Sequence, residues 1–279
     1  MREVDVNLIS DTVEEMCMEA NYRLSEDIEG KIRERQKDEE NPIAKDILSD
    51  MVKNLEIADE KNMPICQDTG MAVLFIEVGR DVHFSGNITE AVNEGVRRGY
   101  KNGYLRNSVV GDPLLRKNTG DNTPAVIYYD IVEGDRVNIK FAAKGFGSEN
   151  MGRLGMLKPS DGIEGVKSFI LETVKIAGPN PCPPVVVGVG IGGTMDKACQ
   201  LAKKALMRDI NTFNEKEHIR ELEEEMLEKI NELGIGPQGL GGETTALGIN
   251  IETYPTHIAG LPIAVNINCH VARHIERTV

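Results

Sequence analysis

The chain has 279 residues, 32 basic and 45 acidic side chains for a formal net charge of −13, 40% hydrophobic residues, and only 4% aromatic residues with no tryptophan. That length and hydrophobic content suffice for a buried core in one large domain or two lobes. The acidity and the shortage of aromatic rings speak against a nucleic acid or an anionic membrane as partner.

The amino-terminal MREVDVNLISDTVEEM holds no apolar run of signal-peptide length. No later stretch approaches the roughly 20 apolar residues of a membrane helix, so a cytoplasmic protein is expected. Residues 4 to 62 read as helical. Ile9, Val13, Met16, Ala20 and Leu24 recur at helical spacing, and Pro42 opens a further helix through Ile43, Ile47, Met51 and Leu55. MPICQDTG then breaks the pattern, and MAVLFIEV reads as a buried strand. Residues 87 to 102 read as a helix, and PAVIYYDIVEGDRVNIKFAAKG as a hairpin hinged at Glu133-Gly134-Asp135. AKGFGSENMGRLGMLKPSDG reads as a glycine-rich loop. A helix over 161 to 177 leads to the strand in NPCPPVVVGVGIGGT, and Met195 to Arg208 is an amphipathic helix with Thr194 as its N-cap. A charged helix over 214 to 233 follows, with Glu221 to Glu225 on a solvated face, and strand-like runs close the chain. Helices and strands mixed in this way give an α/β or α+β fold.

Five cysteines, an odd number in a reducing compartment, point to metal binding or chemistry before a disulfide framework. Cys17 and Cys199 fall beside apolar helical stripes and read as small core residues. Cys66 in PICQDTG and Cys182 in NPCPP sit in proline-flanked loops, and Cys269 in NINCHV closes an apolar run. A loop thiolate beside backbone N–H groups can be held exposed and deprotonated, as iron or zinc requires. The three are far apart and follow no C-x-x-C pattern, so spacing leaves a metal site and unrelated buried thiols both open.

Gly188, Gly190 and Gly193 spell the G-x-G-x-x-G of a dinucleotide-binding turn. That fold needs a second strand after the helix and an acid about 20 residues on, whereas here a second helix follows. Close helix–strand packing is the better reading of these glycines.

PICQDTG, AKGFGSEN, NPCPPVVVGVGIGGT, GLGGETTALG and THIAGLPIAVNINCH together resemble the α-type catalytic region of class I, iron–sulfur-dependent fumarate hydratases and tartrate dehydratases. The five motifs occur in family order, and the resemblance covers most of the chain from about residue 40 to the end; KGFGSEN departs from the family's frequent KGGGSAN. The resemblance implies an α-type catalytic domain over 1–279, with a helical segment 1–62 and a cluster-binding α/β region 63–279. It implies that Cys66, Cys182 and Cys269 hold one [4Fe–4S] cluster, leaving one iron as an open Lewis acid. The implied reaction is reversible dehydration of a 2-hydroxydicarboxylate, (S)-malate to fumarate, with L(+)-tartrate as the alternative.

By the same resemblance Asp68 and His257 are the proton-transfer pair. Gln67, Arg106 and Gly147 bind substrate, the guanidinium as a bidentate carboxylate partner and the glycine by leaving room beside its N–H. From the residues alone, His257 reads equally as a surface or capping histidine, Arg106 as a surface charge, and Lys144 as either basic lining or solvated. Single-chain relatives continue into a β-type domain, so the resemblance implies a β-type subunit as partner in an α2β2 heterotetramer. A cluster-carrying scaffold without catalysis, or a zinc hydrolase using Cys182 and His257, are the competing readings.

Overall fold

The computed structural model describes residues 1–279. From the amino terminus come β1 (Arg2–Val4), α1 (Val6–Tyr22), α2 (Glu26–Asp38), α3 (Pro42–Lys61), β2 (Met71–Gly79), β3 (Val82–Phe84) and α4 (Ile88–Asn102). Next are β4 (Val126–Val132), β5 (Val137–Lys144), the short α5 (Phe146–Glu149), β6 (Arg153–Leu157) and α6 (Gly162–Ala177). β7 (Val185–Gly192), α7 (Met195–Ala205), α8 (Glu217–Asn231), β8 (Ala246–Tyr254), β9 (Leu261–Asn268) and β10 (His274–Thr278) complete an α/β fold. No helix is long and apolar enough to cross a membrane. The chain forms two units, one of residues 1–25, 55–146 and 273–279, the other of residues 26–54 and 147–272.

The first unit is built on a four-stranded sheet in the order β10–β5–β2–β4. Helix α1, capped by Asp5 whose carboxylate accepts from the Asn7 N–H at 2.9 Å, buries the stripe Ile9, Val13, Met16, Cys17 and Ala20. These side chains share one core with Val92, Val96 and Tyr100 of α4 and with Leu74, Ile76, Ile139 and Phe141 of the sheet. Fully burying each large apolar side chain contributes about 1.5–3 kcal/mol. The expected hairpin does not form. β2 lies between β4 and β5, parallel to the first and antiparallel to the second. Its Val73-Leu74-Phe75-Ile76 run is buried throughout, so both backbone edges need partners away from water. The Glu133–Asp135 turn instead caps the end of β2, with Asp81 N–H donating to the Gly134 carbonyl at 3.0 Å.

The second unit carries a sheet in the order β6–β9–β7–β8. The segment RLGML, part of the expected loop, is edge strand β6 paired antiparallel to β9. On the central strand β7, Val185, Val187 and Val189 join α6 and α8 in one core. The alternate face meets α7, and there the glycines are required. A Cβ on Gly190 would lie 2.1 Å from the Ala198 carbonyl oxygen, and one on Gly188 would lie 2.3 Å from that of Ala202. The next strand, β8, pairs parallel to β7 only after two helices. The fingerprint is therefore a helix–strand contact too close for any side chain, as expected. Thr194 precedes α7 but makes no side-chain cap; its hydroxyl donates to Asp196.

Three assignments shift once packing is visible. Cys199 is exposed, because Ala198, Leu201, Ala202 and Ala205 form the face of α7 that meets the sheet. In α3 the buried stripe is Ala44, Leu48, Met51, Val52 and Leu55, which leaves Ile43 at the surface. Within Glu221–Glu225, Glu223 is buried rather than solvated, because its carboxylate takes the Ile251 N–H at 2.6 Å and the Arg208 guanidinium. Burial pushes its carboxyl above the ordinary glutamate range.

Gly190→Ala is expected to destabilise the protein by about 2 kcal/mol or more, since backbone blocks the new methyl. Gly30→Ala, inside α2 with nothing within 4 Å of its Cβ position, is expected to stabilise it by about 0.5–1 kcal/mol. Denaturant unfolding of the two variants measures both signs.

Candidate active site

In the first unit the chain leaves α3 and runs irregularly through Ile65–Gly70 before entering β2. An irregular segment next to a core must have its backbone polar groups satisfied by side chains. Here the Tyr100 hydroxyl donates to the Thr69 and Gly70 carbonyls at 2.7 and 3.1 Å, and Asn122 Nδ2 donates to the Gly70 carbonyl at 3.2 Å. Arg273 donates to the Asp68 carbonyl. Burial pushes the Tyr100 phenol well above its ordinary value, so it stays a neutral donor.

This bracing leaves Gln67 exposed and Cys66 and Asp68 half-buried. The Asp68 carboxylate is held at both oxygens: Oδ1 accepts from the Gly70 N–H and Oδ2 from the Phe146 N–H, each at 3.0 Å. Arg106 is brought to the same loop, since its N–H donates to the Thr69 hydroxyl at 2.9 Å, and its side chain is exposed.

The segment carrying Arg106 is shaped by Asn122, whose Oδ1 accepts from the Ser108 and Val109 N–H groups at 2.7 and 3.2 Å. Next to it, burial pushes the Asp121 carboxyl up. The Thr123 hydroxyl and N–H and the Arg97 guanidinium together outweigh that and hold it at about 2.

In the second unit Cys182 is exposed, with φ of 54°, in the left-handed region. Two side chains fix its loop through adjacent carbonyls. Gln238 donates its N–H at 2.8 Å and its Nε2 at 3.1 Å to the Pro183 carbonyl. His270 places Nδ1 3.0 Å from the Cys182 carbonyl, which fixes the proton on Nδ1 because a carbonyl only accepts. His270 follows Cys269 directly, so this bond brings the Cys182 and Cys269 loops together; Cys269 is half-buried.

Gly147 is exposed, and a Cβ added there would meet nothing nearer than the Asn180 carbonyl oxygen, at 4.0 Å. Protein packing therefore does not require a glycine at this position. His257 is exposed between β8 and β9, and its Nδ1 accepts from the Ala259 N–H at 3.2 Å. In the neutral ring that leaves the proton on Nε2.

None of the five cysteines is in a disulfide. Cys17 is fully buried, and burial pushes its thiol far up, so it is a core residue and a poor thiolate. Cys66, Cys182 and Cys269 lie outside regular elements and retain solvent access, which suits soft-metal ligation by thiolates. Lys144 is buried at the end of β5, its Nζ 3.4 Å from the Gly145 carbonyl, and so is not solvated.

Tyr100, Asn122, Gln238, His270 and Arg273 shape these loops, and none of them is among the expected site residues, although His270 ends the THIAGLPIAVNINCH motif. Tyr100 stands on the apolar stripe of α4 and looks like core. Arg273 follows Val271-Ala272, and a cation against a buried apolar pair was the one signal the sequence offered.

The folded value of Asp121 lies below the roughly 3.9 of an unfolded aspartate. Its bonds therefore stabilise the fold fully above pH ~4 and lose that contribution as pH falls from about 4 to about 2. Asp121→Asn is expected to be about 1–2 kcal/mol less stable at neutral pH, with the gap closing on acidification. Unfolding of both proteins across a pH series checks this.

The fumarate hydratase (Fumerase) family model matches residues 10–278. A protein of Methanocaldococcus jannaschii named "Putative L(+)-tartrate dehydratase subunit alpha" is 46% identical over 278 residues, covering 97% of each chain. The L(+)-tartrate dehydratase subunit alpha of Escherichia coli K12 and that of Shigella sonnei are each 32% identical over 271 residues, covering 96% of this chain and 89% of theirs. With the braced Cys66–Gly70 loop and the three loop cysteines in hand, the match over nearly the whole sequence places this chain in the fumarate hydratase (Fumerase) family of hydro-lyases.

Proposed function

We propose that this chain is the α subunit of a [4Fe–4S]-dependent hydro-lyase that reversibly removes water from a 2-hydroxydicarboxylate. The observation that carries the reading is the contrast among the cysteines: Cys66, Cys182 and Cys269 stand on side-chain-braced loops with solvent access, while Cys17 is sealed in the core and the exposed Cys199 lies within helix α7. Thiolates of these three residues are the soft donors that an iron–sulfur cluster takes. When bound, such a cluster supplies an iron without a protein ligand, a Lewis acid for the substrate's hydroxyl and carboxylate.

The remaining work falls to this chain's side chains and its partner. The exposed Arg106 guanidinium pairs with a substrate carboxylate through its fork of donors, and the Gln67 amide orients the same end of the molecule. Gly147 leaves space that no protein atom claims, and we assign that space to the bound substrate. Each Asp68 carboxylate oxygen already accepts one backbone N–H, which fixes the group's orientation while leaving lone pairs to take or return a proton. His257, with Nδ1 occupied as an acceptor, presents its proton on Nε2 as the donor.

In the elimination, the C3–H bond and the C2–O bond break. The C3 proton goes to a base, the C3–H electron pair forms the C2–C3 double bond, and the hydroxyl takes a proton from the Asp68–His257 pair and leaves as water. The names of the relatives, subunit alpha, support a β subunit as partner, which we assign the rest of the dicarboxylate clamp and the base, in an α2β2 assembly. Those names also favour L(+)-tartrate as substrate, and the family's description favours malate and fumarate as the second reading.

Anaerobic loading with iron and sulfide is expected to give about four irons per chain. Cys66→Ser, Cys182→Ser and Cys269→Ser should each lose them, and Cys17→Ser and Cys199→Ser should keep them. Mixed with a β-type subunit, the loaded chain is expected to dehydrate L(+)-tartrate or hydrate fumarate. Iron retained in all three serine variants, or no turnover of either substrate by the loaded complex, contradicts the reading.

A further inference from the structure

The Asp68 loop rests on a guanidinium for which the proposed reaction has no use. Arg273, just before β10, is 3% exposed. Its Nη1 donates to Asn21 Oδ1 at 3.0 Å and to the Asp68 carbonyl. Asn21 is itself immobilised in the core: its Nδ2 donates to the Cys17 carbonyl at 2.9 Å, and its carbonyl accepts from the Ile65 N–H at 3.0 Å. The guanidinium is thus held at a fixed place beneath the loop, and its Nε has no hydrogen-bond partner.

A buried cation is unfavourable unless an anion stands near it. Gly145 identifies the anion. A Cβ on Gly145 would lie 3.1 Å from Asp68 Oδ2 and 3.3 Å from Arg273 Nη2. The carboxylate oxygen beside that position is the one that accepts from the Phe146 N–H. Carboxylate and guanidinium therefore both border the position that a side chain at residue 145 would occupy, and its glycine leaves that position empty.

We propose that Arg273 is a positioning residue for the Asp68 carboxylate, holding its main-chain carbonyl by a hydrogen bond and its side chain by charge across Gly145. The inference rests on the reading of Asp68 as the proton-transfer carboxylate. Arg273 acts through Asp68 and not on the substrate, so its loss should reach turnover and leave binding alone. A purely structural arginine, there only to satisfy two buried carbonyl oxygens, would lower stability without that selectivity.

The test uses the iron-loaded α/β complex carrying Arg273→Met, Arg273→Lys, Gly145→Ala, Asp68→Asn and the Asp68→Asn/Arg273→Met double variant. The Phe146 amide resonance of the iron-free chain provides a readout independent of activity. Arg273→Met is expected to lower kcat about 10-fold or more with KM changed less than about 2-fold, and to shift the Phe146 amide. Arg273→Lys, which keeps the charge, should recover part of both. Gly145→Ala should reproduce the kcat loss at unchanged iron content, and it carries the test alone if Arg273→Met does not fold. The double variant should be no slower than Asp68→Asn.

Losses that multiply in the double variant, or Gly145→Ala with wild-type kcat and an unmoved Phe146 amide, overturn the inference. Wild-type turnover in Asp68→Asn instead overturns the reading of Asp68 itself. The amide shift then still reports whether Arg273 holds that carboxylate.

Discussion

The carbonyl oxygens of Asp68, Thr69 and Gly70 set the central constraint on this molecule. A segment that leaves regular structure beside a core must find donors for its carbonyls away from water, or lose about 1–3 kcal/mol per orphaned group. Arg273, Tyr100 and Asn122 supply those partners from three separate parts of the first unit. Tyr100 can do so because α4 and α1 bury it to 1% exposure. The packing of two helices is thereby converted into the fixed shape of a loop that presents Cys66, Gln67 and Asp68.

The second unit meets the same constraint by similar means. The carbonyls of Cys182 and Pro183 are taken by His270 and Gln238. The GLGGETT segment is gathered by Glu39, a buried carboxylate that accepts from the Glu243 N–H and the Thr244 hydroxyl at 3.0 Å each. In both units the cysteine-bearing loops are irregular backbone held still by polar side chains, Tyr100 from α4 and Arg273, Asn122, Gln238, His270 and Glu39 from turns and connections. A site built this way keeps its donors solvent-accessible without giving up rigidity.

Much of this was legible in the sequence where the signal is local. Proline and glycine around Cys66 and Cys182 mark loops, the Ile9–Val13–Met16–Ala20 spacing marks a buried helical face, and the Gly188–Gly190 run marks a close backbone contact. Non-local facts were not legible. Tyr128 and Phe141 look like two arms of one hairpin, yet β2 separates them, because strand pairing is decided by which edge is buried and not by chain proximity. Cys199 and Ala198 are neighbours in sequence but turn about 100° apart on a helix, and only the sheet beneath decides which one is core. The partner of Arg273, Asn21, stands more than two hundred residues earlier, so their contact has no local sign in the sequence.

The central claim is that three loop thiolates hold a cluster whose remaining iron is open to a dicarboxylate. Mössbauer spectroscopy of the ⁵⁷Fe-loaded α/β complex, before and after adding L(+)-tartrate or fumarate, tests it most directly. The account predicts that about one iron in four changes its spectrum on adding substrate while the other three keep theirs. Four irons that are equally unaffected by either dicarboxylate would contradict it.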